Sequence, residues 1–163
     1  MKILIMSDTH GLTKEITEIK NRHHVDLVIH CGDSELPSDA SVLNNIEVVK
    51  GNCDRDSSYL DEKIIELTPG ISCYVTHGHL YGVKRSLESL SYRAEELVVN
   101  FCFFGHTHIA GVTKINDIIY INPGSIKYPK GSDEKTYALL ELTEQTYKLT
   151  FYNDKGVVID ELN

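Results

Sequence analysis

The first third of the chain alternates short apolar runs with polar segments. Residues 2–7 (KILIMS), 26–31 (DLVIHC) and 46–51 (IEVVKG) are apolar and rich in β-branched residues, which is typical of strands buried on both faces. Residues 13–22 carry two isoleucines at helical spacing among charges, and 38–45 form a short polar stretch. This β-α-β-α-β order predicts parallel strands joined by right-handed crossovers, with helices covering the sheet.

The pattern changes in the middle of the chain. Residues 63–67 (KIIEL) and 71–78 (ISCYVTHG) are strand-like and are separated by Pro69-Gly70, a turn signal, so they predict paired strands. Residues 85–99 show the longest helical pattern, with an apolar stripe from Leu87 to Val98 that we expect to pack in the core.

The last third predicts a strand followed by antiparallel hairpins. Residues 100–105 (NFCFFG) form a buried run, and Asn116-Asp117 is a hairpin turn between two strand-like segments. The tail predicts three further antiparallel strands, with turns at 144–145 and 154–156. The whole pattern indicates an α/β protein with a mixed sheet or a two-sheet sandwich.

Composition limits the number of domains and the compartment. A chain of 163 residues with 41% hydrophobic content can bury one substantial core, so we expect a single domain over 1–163. The four cysteines form no CxxC pair, which argues against a zinc knuckle or a disulfide framework. The apolar run at the N-terminus is too short for a signal peptide or a membrane span, so we expect a cytoplasmic protein without a membrane partner.

Charge narrows the range of partners. The formal net charge of −8 disfavours sequence-independent binding to the nucleic-acid backbone, and we expect no sequence-specific binding of nucleic acid either. Phosphate chemistry remains open, because metal ions can supply local positive charge to a negatively charged protein.

Polar residues of the metal-ligating types lie just past the ends of five predicted strands. Ligands bind at this edge of open α/β sheets, because loops converge there. Asp8 and His10 are two residues apart, and so are His106 and His108. The side chains of each pair would point the same way if the backbone were extended. The candidate ligands are Asp8, His10, Asp33, Asn52, His77, His106 and His108.

The donor set indicates the kind of metal site. Four imidazoles, two carboxylates and one amide oxygen suit manganese, iron, zinc, nickel or cobalt better than magnesium or calcium. Seven ligands exceed the number that one ion takes from a protein while leaving room for substrate, so two ions are predicted. If Asp33 bridges them, they would lie roughly 3.5–4 Å apart and would suit an anionic phosphoryl group.

Five motifs in order resemble those of the calcineurin-like metallophosphoesterases, and the short chain resembles the small YfcE-like phosphodiesterase branch. They are SDTHG (7–11), HCGD (30–33), GNCD (51–54), THGH (76–79) and GHTH (105–108), with INPGS (121–125) as a further marker. The resemblance implies a four-layer α/β/β/α sandwich, in which two mixed sheets are flanked by helices.

The resemblance also implies how the ligands are divided between two divalent transition-metal ions, with Mn²⁺ the first choice and Ni²⁺, Zn²⁺, Fe²⁺ or Co²⁺ the others. Asp8, His10, Asp33 and His108 would hold the first ion, and Asp33, Asn52, His77 and His106 the second. A hydroxide bridging the ions would then attack phosphorus in line, in a small phosphodiester or phosphomonoester.

One position departs from the broader superfamily, whose GNH[DE] motif has a histidine where this chain has Cys53. A thiol is a weak hydrogen-bond donor with a reference pKa of about 8.5, so it is a poor acid for a leaving alkoxide. We therefore assign no general acid and expect either a preference for good leaving groups or substitution by His79 or a water. Asn52 and His79 are candidate phosphate contacts. His79 alone is more often structural. Lys127 and Lys130 could also meet phosphate, although exposed lysines rarely have so specific a role.

Two further expectations concern interactions with other proteins. The same fold serves as a non-catalytic interaction scaffold in eukaryotic retromer, which is the alternative to an enzyme. The complete ligand set favours the enzyme. An exposed sheet edge in the tail could pair two copies as a homodimer.

Overall fold

The computed structural model describes residues 1–143 and 146–162 as two β-sheets with a helix on the outer face of each. Short 3-10 helices lie at Ser41–Leu43 and His79–Tyr81. The α-helices are α1 (Lys14–Arg22) and α2 (Glu88–Glu96). The strands are β1 (Lys2–Met6), β2 (Leu27–His30), β3 (Glu47–Val48), β4 (Glu62–Thr68), β5 (Ile71–Thr76), β6 (Phe101–Phe103), β7 (Gly111–Ile115), β8 (Ile118–Asn122), β9 (Thr136–Leu142), β10 (Tyr147–Asn153) and β11 (Val158–Leu162).

Both sheets mix parallel and antiparallel strands. The first has the order β11-β10-β9-β1-β2-β3, and the second β4-β5-β6-β8-β7. Strands β1, β2 and β3 are parallel, as predicted, and so are β5, β6 and β8. The carboxyl ends of these parallel strands are where the candidate ligands follow.

Alternating side chains of the central strands build the layers. In β1, Ile3 and Ile5 belong to the core between the sheets, whereas Leu4 and Met6 pack with Ile16 and Ile19 of α1. The second sheet repeats this arrangement: alternate residues of β6 face the central core, and Cys102 packs with the apolar side of α2. Burial on both faces explains the continuous apolar runs, and the predicted α/β/β/α sandwich is confirmed.

The predicted buried side of α2 is partly wrong. Leu90 and Ala94 are buried as expected, but the helix ends at Glu96 and Val98 is 84% exposed. Val98 has φ 54°, which ends the helical periodicity and turns its side chain away from the stripe. Placing Val98 in the core was therefore wrong. The third strand is also shorter than 46–51, because it pairs with β2 only through Glu47 and Val48.

The tail forms one edge of the first sheet. Strand β11 lies outermost, and Val158, Ile159 and Leu162 are exposed on it. Pairing of two copies along this edge remains a prediction. The predicted turn at 144–145 lies outside the described residues. Within 1–143 and 146–162, no helix combines the length and apolar character needed to cross a membrane.

Glu62 ties together the elements that support the loop after β5. Its Oε2 accepts hydrogen bonds from the hydroxyls of Tyr74 and Tyr81, and its Oε1 accepts one from Arg93 of α2 at 2.7 Å. Tyr74 is fully buried, so its hydroxyl depends on protein partners. One carboxylate thus joins β4, β5, the 3-10 helix after His77, and α2.

We therefore expect Glu62→Ala to lower the free energy of unfolding by about 2–3 kcal/mol, because charged hydrogen bonds to Glu62 are lost. Urea denaturation followed by circular dichroism measures this. Glu96→Ala is the matched control, since Glu96 is 69% exposed and meets the same Arg93 at 3.4 Å. That change should cost less than about 0.5 kcal/mol. Equal losses in the two variants would contradict the role given to Glu62.

Candidate metal centre

The predicted ligands converge where the two sheets meet at the carboxyl ends of their parallel strands. Asp8 and His10 follow β1, Asp33 follows β2, and His77 follows β5. His106 follows β6, and its backbone N–H donates to Oδ2 of Asp8 at 3.2 Å, across 98 residues of sequence. Loops from both sheets therefore share one centre.

Asp8 lies in the middle of this centre and is fully buried. Its Oδ2 accepts a hydrogen bond from Oγ of Ser7 at 2.6 Å. Its Oδ1 makes no hydrogen bond to a described residue. Instead, Oδ1 lies 3.0 Å from Nε2 of His108, 3.9 Å from Nε2 of His10 and 4.0 Å from Nε2 of His77.

A second group of donors adjoins the first. Nε2 of His77 lies 3.4 Å from Oδ2 of Asp33 and 3.2 Å from Nδ1 of His106. The donor atoms of Asp8, His10 and His108 can surround one ion, and those of Asp8, Asp33 and His77 another. Asp8 is the carboxylate common to both groups in this geometry, whereas the resemblance gives the bridging position to Asp33.

Three imidazoles are oriented by bonds on their far nitrogens. Nδ1 of His77 bonds to the carbonyl of Cys31 at 2.8 Å, and Nδ1 of His108 to the carbonyl of Tyr128 at 2.7 Å. Nδ1 of His10 bonds to Oε1 of Glu35 at 2.7 Å. Holding Nδ1 in this way turns each Nε2 inward and fixes the tautomer that a metal ion needs.

The backbone at these positions is left-handed, which corrects one step of the sequence argument. Asp8 (φ 54°), His10 (φ 43°), His106 (φ 68°) and His108 (φ 63°) lie in loops and not in extended strand. Alternation along a strand therefore does not align the pairs, although they do converge. Such conformations cost energy for non-glycine residues and cluster at functional sites.

The carboxylates draw positive charge into the centre. Burial alone would raise the pKa of Asp33, but the hydrogen bond and charge of His77 outweigh burial and leave this pKa below its ordinary value. Burial likewise opposes ionisation of Asp8, yet His108 and His77 bring its pKa down. In turn, the pKa of His108 is raised, first by Asp8, and that of His77 is raised by Asp33 and Asp8 against the effect of burial.

His106 and Cys53 behave differently from these groups. Burial, with the charge of His77, lowers the pKa of His106 to about 4, so its ring is neutral and able to ligate. Burial and the neighbouring Asp33 raise the pKa of Cys53 to about 12. With these neighbours, the Cys53 thiol stays protonated near neutral pH.

Asn52 and His79 lie at the margin of the centre. The Asn52 side chain is exposed, and its amide donates to Sγ of Cys53 at 3.3 Å. The backbone N–H of Cys53 donates to Oδ1 of Asp33 at 2.8 Å, which places the GNCD loop beside that acid. The His79 ring lies 5.4 Å from that of His77, and its buried Nδ1 has no partner among the described residues.

A cleft of about 900 Å³ opens beside these loops. Its lining includes Glu35, Asn52, Cys53 and Arg55. The Arg55 side chain is exposed and forms no ion pair with a described residue. The cleft therefore borders the GNCD loop and the Glu35 side chain that meets His10.

Supporting residues were missed by the sequence analysis. Asp54 accepts four hydrogen bonds, from the N–H groups of Asp33, Glu35 and Gly51 and from Oγ of Ser34, and so joins the HCGD and GNCD loops. Asp54 is the last residue of the GNCD motif, but the sequence does not show that its carboxylate is buried. Glu35 stands two residues after Asp33, the same spacing as Asp8 to His10, which was an available signal.

Two glycines permit the close approach of these loops. A Cβ on Gly51 would lie 2.0 Å from Oδ1 of Asp33, and a Cβ on Gly105 would lie 2.0 Å from Oγ of Ser7 and 2.7 Å from Oδ2 of Asp8. No side chain can occupy either position without moving a candidate ligand or the group that supports it.

Comparison with known proteins agrees with this arrangement. Residues 1–145 match the family model described as the calcineurin-like phosphoesterase superfamily domain. A protein named probable metallophosphoesterase YsnB, from Bacillus subtilis (strain 168), is 45% identical, and the match covers 99% of this chain and 96% of that protein. Phosphodiesterase YfcE from Escherichia coli (strain K12) is 24% identical over 97% of this chain and 96% of its own length.

Solved structures share the fold. A conserved uncharacterized protein from Streptococcus pneumoniae TIGR4, titled a predicted phosphoesterase, superimposes with a TM-score of 0.93 at 34% identity, covering 99% of this chain and 96% of its own. Zinc-complexed Vps29 from Entamoeba histolytica has a TM-score of 0.82 at 21% identity, covering 99% and 98%, which shows the fold alone. The chain therefore belongs to the calcineurin-like phosphoesterase superfamily, which is metal-dependent, and is a hydrolase that acts on phosphoric esters.

Proposed function

We propose that this protein is a phosphodiesterase that uses two divalent metal ions. Asp8, His10, Asp33 and His108 would hold the first ion, with Asp33 shared between the two. Asn52, His77 and His106 would complete the second. The preferred ion is Mn²⁺, with Ni²⁺, Zn²⁺, Fe²⁺ or Co²⁺ as alternatives, because this mixed nitrogen and oxygen set suits that class of metal.

Two buried atoms at the centre that make no hydrogen bond among the described residues carry the proposal, although Nε2 of His108 also lies 3.0 Å from one of them. Oδ1 of Asp8 and Nε2 of His10 are both buried without a hydrogen bond to any described residue, and they lie 3.9 Å apart. An ionised carboxylate left in this state costs several kcal/mol unless positive charge or donors meet it. A cation between these atoms would satisfy both, so the residues present fit a metal ion.

The chain's own residues would prepare the centre for phosphate. Bound divalent ions supply positive charge for the phosphoryl oxygens and lower the pKa of water. Asn52 would ligate without adding negative charge, and Cys31, Tyr128 and Glu35 would keep three imidazoles in register through their Nδ1 atoms. The GNCD loop supplies no general acid, so a water or His79 would protonate the leaving oxygen.

The proposal extends to the substrate, the domain organisation and the cellular compartment of the protein. The substrate is a small phosphodiester, with a phosphomonoester as the second choice, and the cleft beside Asn52 and Arg55 is its entry route. The single domain over 1–163 is supported by a central core drawn from both sheets. Four free cysteines, three of them buried, support the cytoplasm as its compartment. We propose no scaffold role, since no feature of the described residues favours one.

We expect Asp33→Asn to lower kcat/KM for bis(p-nitrophenyl) phosphate by about a thousandfold or more, because loss of a shared ligand disturbs both ions. The same variant should hold fewer than two ions per chain when metal content is measured after dialysis. Chelator should abolish wild-type activity, and added Mn²⁺ should restore it.

Asp39→Asn is the control for charge, since Asp39 is exposed and lies outside the centre. It should keep both the metal content and the rate of the wild type. Two bound ions without turnover of any phosphoric ester, whichever metal is supplied, would contradict the catalytic proposal and favour a scaffold.

Glu35→Gln tests the orientation of His10. We expect the affinity for metal to fall about 10–100-fold, because the bond that fixes the His10 tautomer is weakened. Saturating Mn²⁺ should restore most of the rate, which a direct catalytic role of Glu35 would not allow. Glu18→Gln, an exposed carboxylate on α1, is the matched control. An unchanged metal titration curve for Glu35→Gln would remove Glu35 from the centre.

Cys53→His tests the absence of a general acid. An imidazolium at this position could protonate a poor leaving group, so the rate on an alkyl diester should rise on the order of 10²-fold relative to the rate on a p-nitrophenyl diester. Cys53→Ala, which adds no donor, should leave that ratio unchanged. If the histidine variant also leaves it unchanged, the account of this position is wrong.

A further inference from the structure

A second cavity, of about 460 Å³, adjoins the GHTH loop that carries two of the candidate ligands. We call it the GHTH pocket. Its walls are mainly apolar and come from the segment before α2, from the end of β6 and from β7. The apolar lining includes Val83, Leu87, Phe104, Ile109 and Val112. A volume in this range is typical of sites for small organic molecules, about 300–1,000 Å³.

The GHTH pocket and the metal centre share a wall. Thr107, which lines the pocket, stands between His106 and His108. Nδ2 of Asn122 donates to Oγ1 of Thr107 at 2.9 Å and to the carbonyl of Gly105 at 3.0 Å. Asn122 therefore fixes the GHTH loop on both sides of His106. A molecule bound in the pocket therefore contacts the loop that carries His106 and His108.

The charges at the pocket are positive and unpaired. Lys84 and Lys130 line it, and no carboxylate stands among its lining residues. Neither ammonium group meets a carboxylate in the described part of the chain, whereas six other lysines lie within 4 Å of one. The backbone N–H of Lys130 donates to the carbonyl of His108 at 2.9 Å, which ties this lysine to the metal centre.

Such an arrangement favours one class of ligand. In a protein with a net charge of −8, two free cations beside an apolar cavity attract an anion locally where the whole molecule repels it. Apolar walls add affinity only for a ligand with an apolar body. An aromatic or similarly apolar group that carries its own negative charge satisfies both requirements.

We propose that the GHTH pocket binds the organic group of the ester substrate, and that this group is apolar and negatively charged. The proposal rests on the phosphodiesterase function proposed above. It makes Lys84 and Lys130 specificity-determining residues, and it assigns the organic group to a pocket whose lining is separate from that of the cleft at Asn52. Free anions of the same chemistry could also enter, and the experiment separates the two sources.

The test uses three diesters with the same p-nitrophenyl leaving group. Their second groups are methyl, 2-naphthyl and 6-carboxy-2-naphthyl, and the Mn²⁺-loaded enzyme is assayed on each. We expect kcat/KM to rise by about tenfold from methyl to naphthyl, and by about tenfold again with the carboxylate, mainly through KM.

Two variants probe the walls and the charges separately. Gly111 lines the pocket, and a Cβ there meets nothing within 4 Å, so Gly111→Phe introduces a bulky ring at the pocket wall without a clash at Cβ. It should remove the preference for naphthyl over methyl, whereas Gly111→Ala should keep most of it. Lys84→Gln combined with Lys130→Gln should remove the preference for the carboxylate. Lys114→Gln removes a lysine of β7 that is ion-paired with Asp117 and does not line the pocket, so it should keep this preference.

Each outcome decides the proposal. Equal kcat/KM for all three esters, or preferences that survive both the filled and the neutralised pocket, would overturn it. Binding of 6-carboxy-2-naphthol, followed by its fluorescence, should compete with the carboxynaphthyl ester. Noncompetitive inhibition would make the pocket a site for free effectors and overturn its assignment to substrate. If no ester is hydrolysed, the phosphodiesterase proposal fails, and naphthol binding that is lost in Gly111→Phe would still support the pocket itself.

Discussion

The buried carboxylate of Asp8 sets the requirements for everything around it. An ionised group with no exposed surface must be met by donors or positive charge, and only one of its oxygens is satisfied by Ser7 and the His106 N–H. Three imidazoles face the other oxygen from two sheets and three loops. Each part of the fold that brings those rings to Asp8 therefore contributes to the chemistry, including segments far from the centre in sequence.

The sandwich supplies the rigidity that this carboxylate needs. Strands β1 and β6 carry Asp8 and His106 at their ends, and both are packed on two faces, so neither can shift without opening two layers. The loops that follow these strands pack closely, because a side chain at Gly51 or Gly105 would clash with the neighbouring loop. A rigid base with tightly fitted loops holds ligand geometry more precisely than loops alone could.

The sequence predicted the architecture better than the local conformation. Continuous apolar runs identified β1, β2 and β6, because burial on both faces leaves a clear pattern. The end of α2 was missed, since Val98 is apolar and fits the stripe, and only its left-handed backbone excludes it. The strand ends correctly indicated where Asp8, His10, His106 and His108 converge. The alignment within each pair was attributed to extended strand, whereas these residues lie in left-handed turns. Glu35 and Asp54 act through loop contacts that no periodicity encodes.

Backbone conformation also bears on the choice between an enzyme and a scaffold. Asp8, His10, Asp33, Glu35, His106 and His108 all have positive φ, and such positions cost of order 1–3 kcal/mol each, somewhat less for Asp and His, which tolerate this region. A surface used only for docking has no need to gather these residues around a buried acid. A bound metal ion, by contrast, would offset this conformational cost, because it would ligate the carboxylate and the inward-facing imidazoles together. The concentration of left-handed residues at one rim is thus better explained by a centre selected for its ligand geometry than by one retained for the shape of its surface.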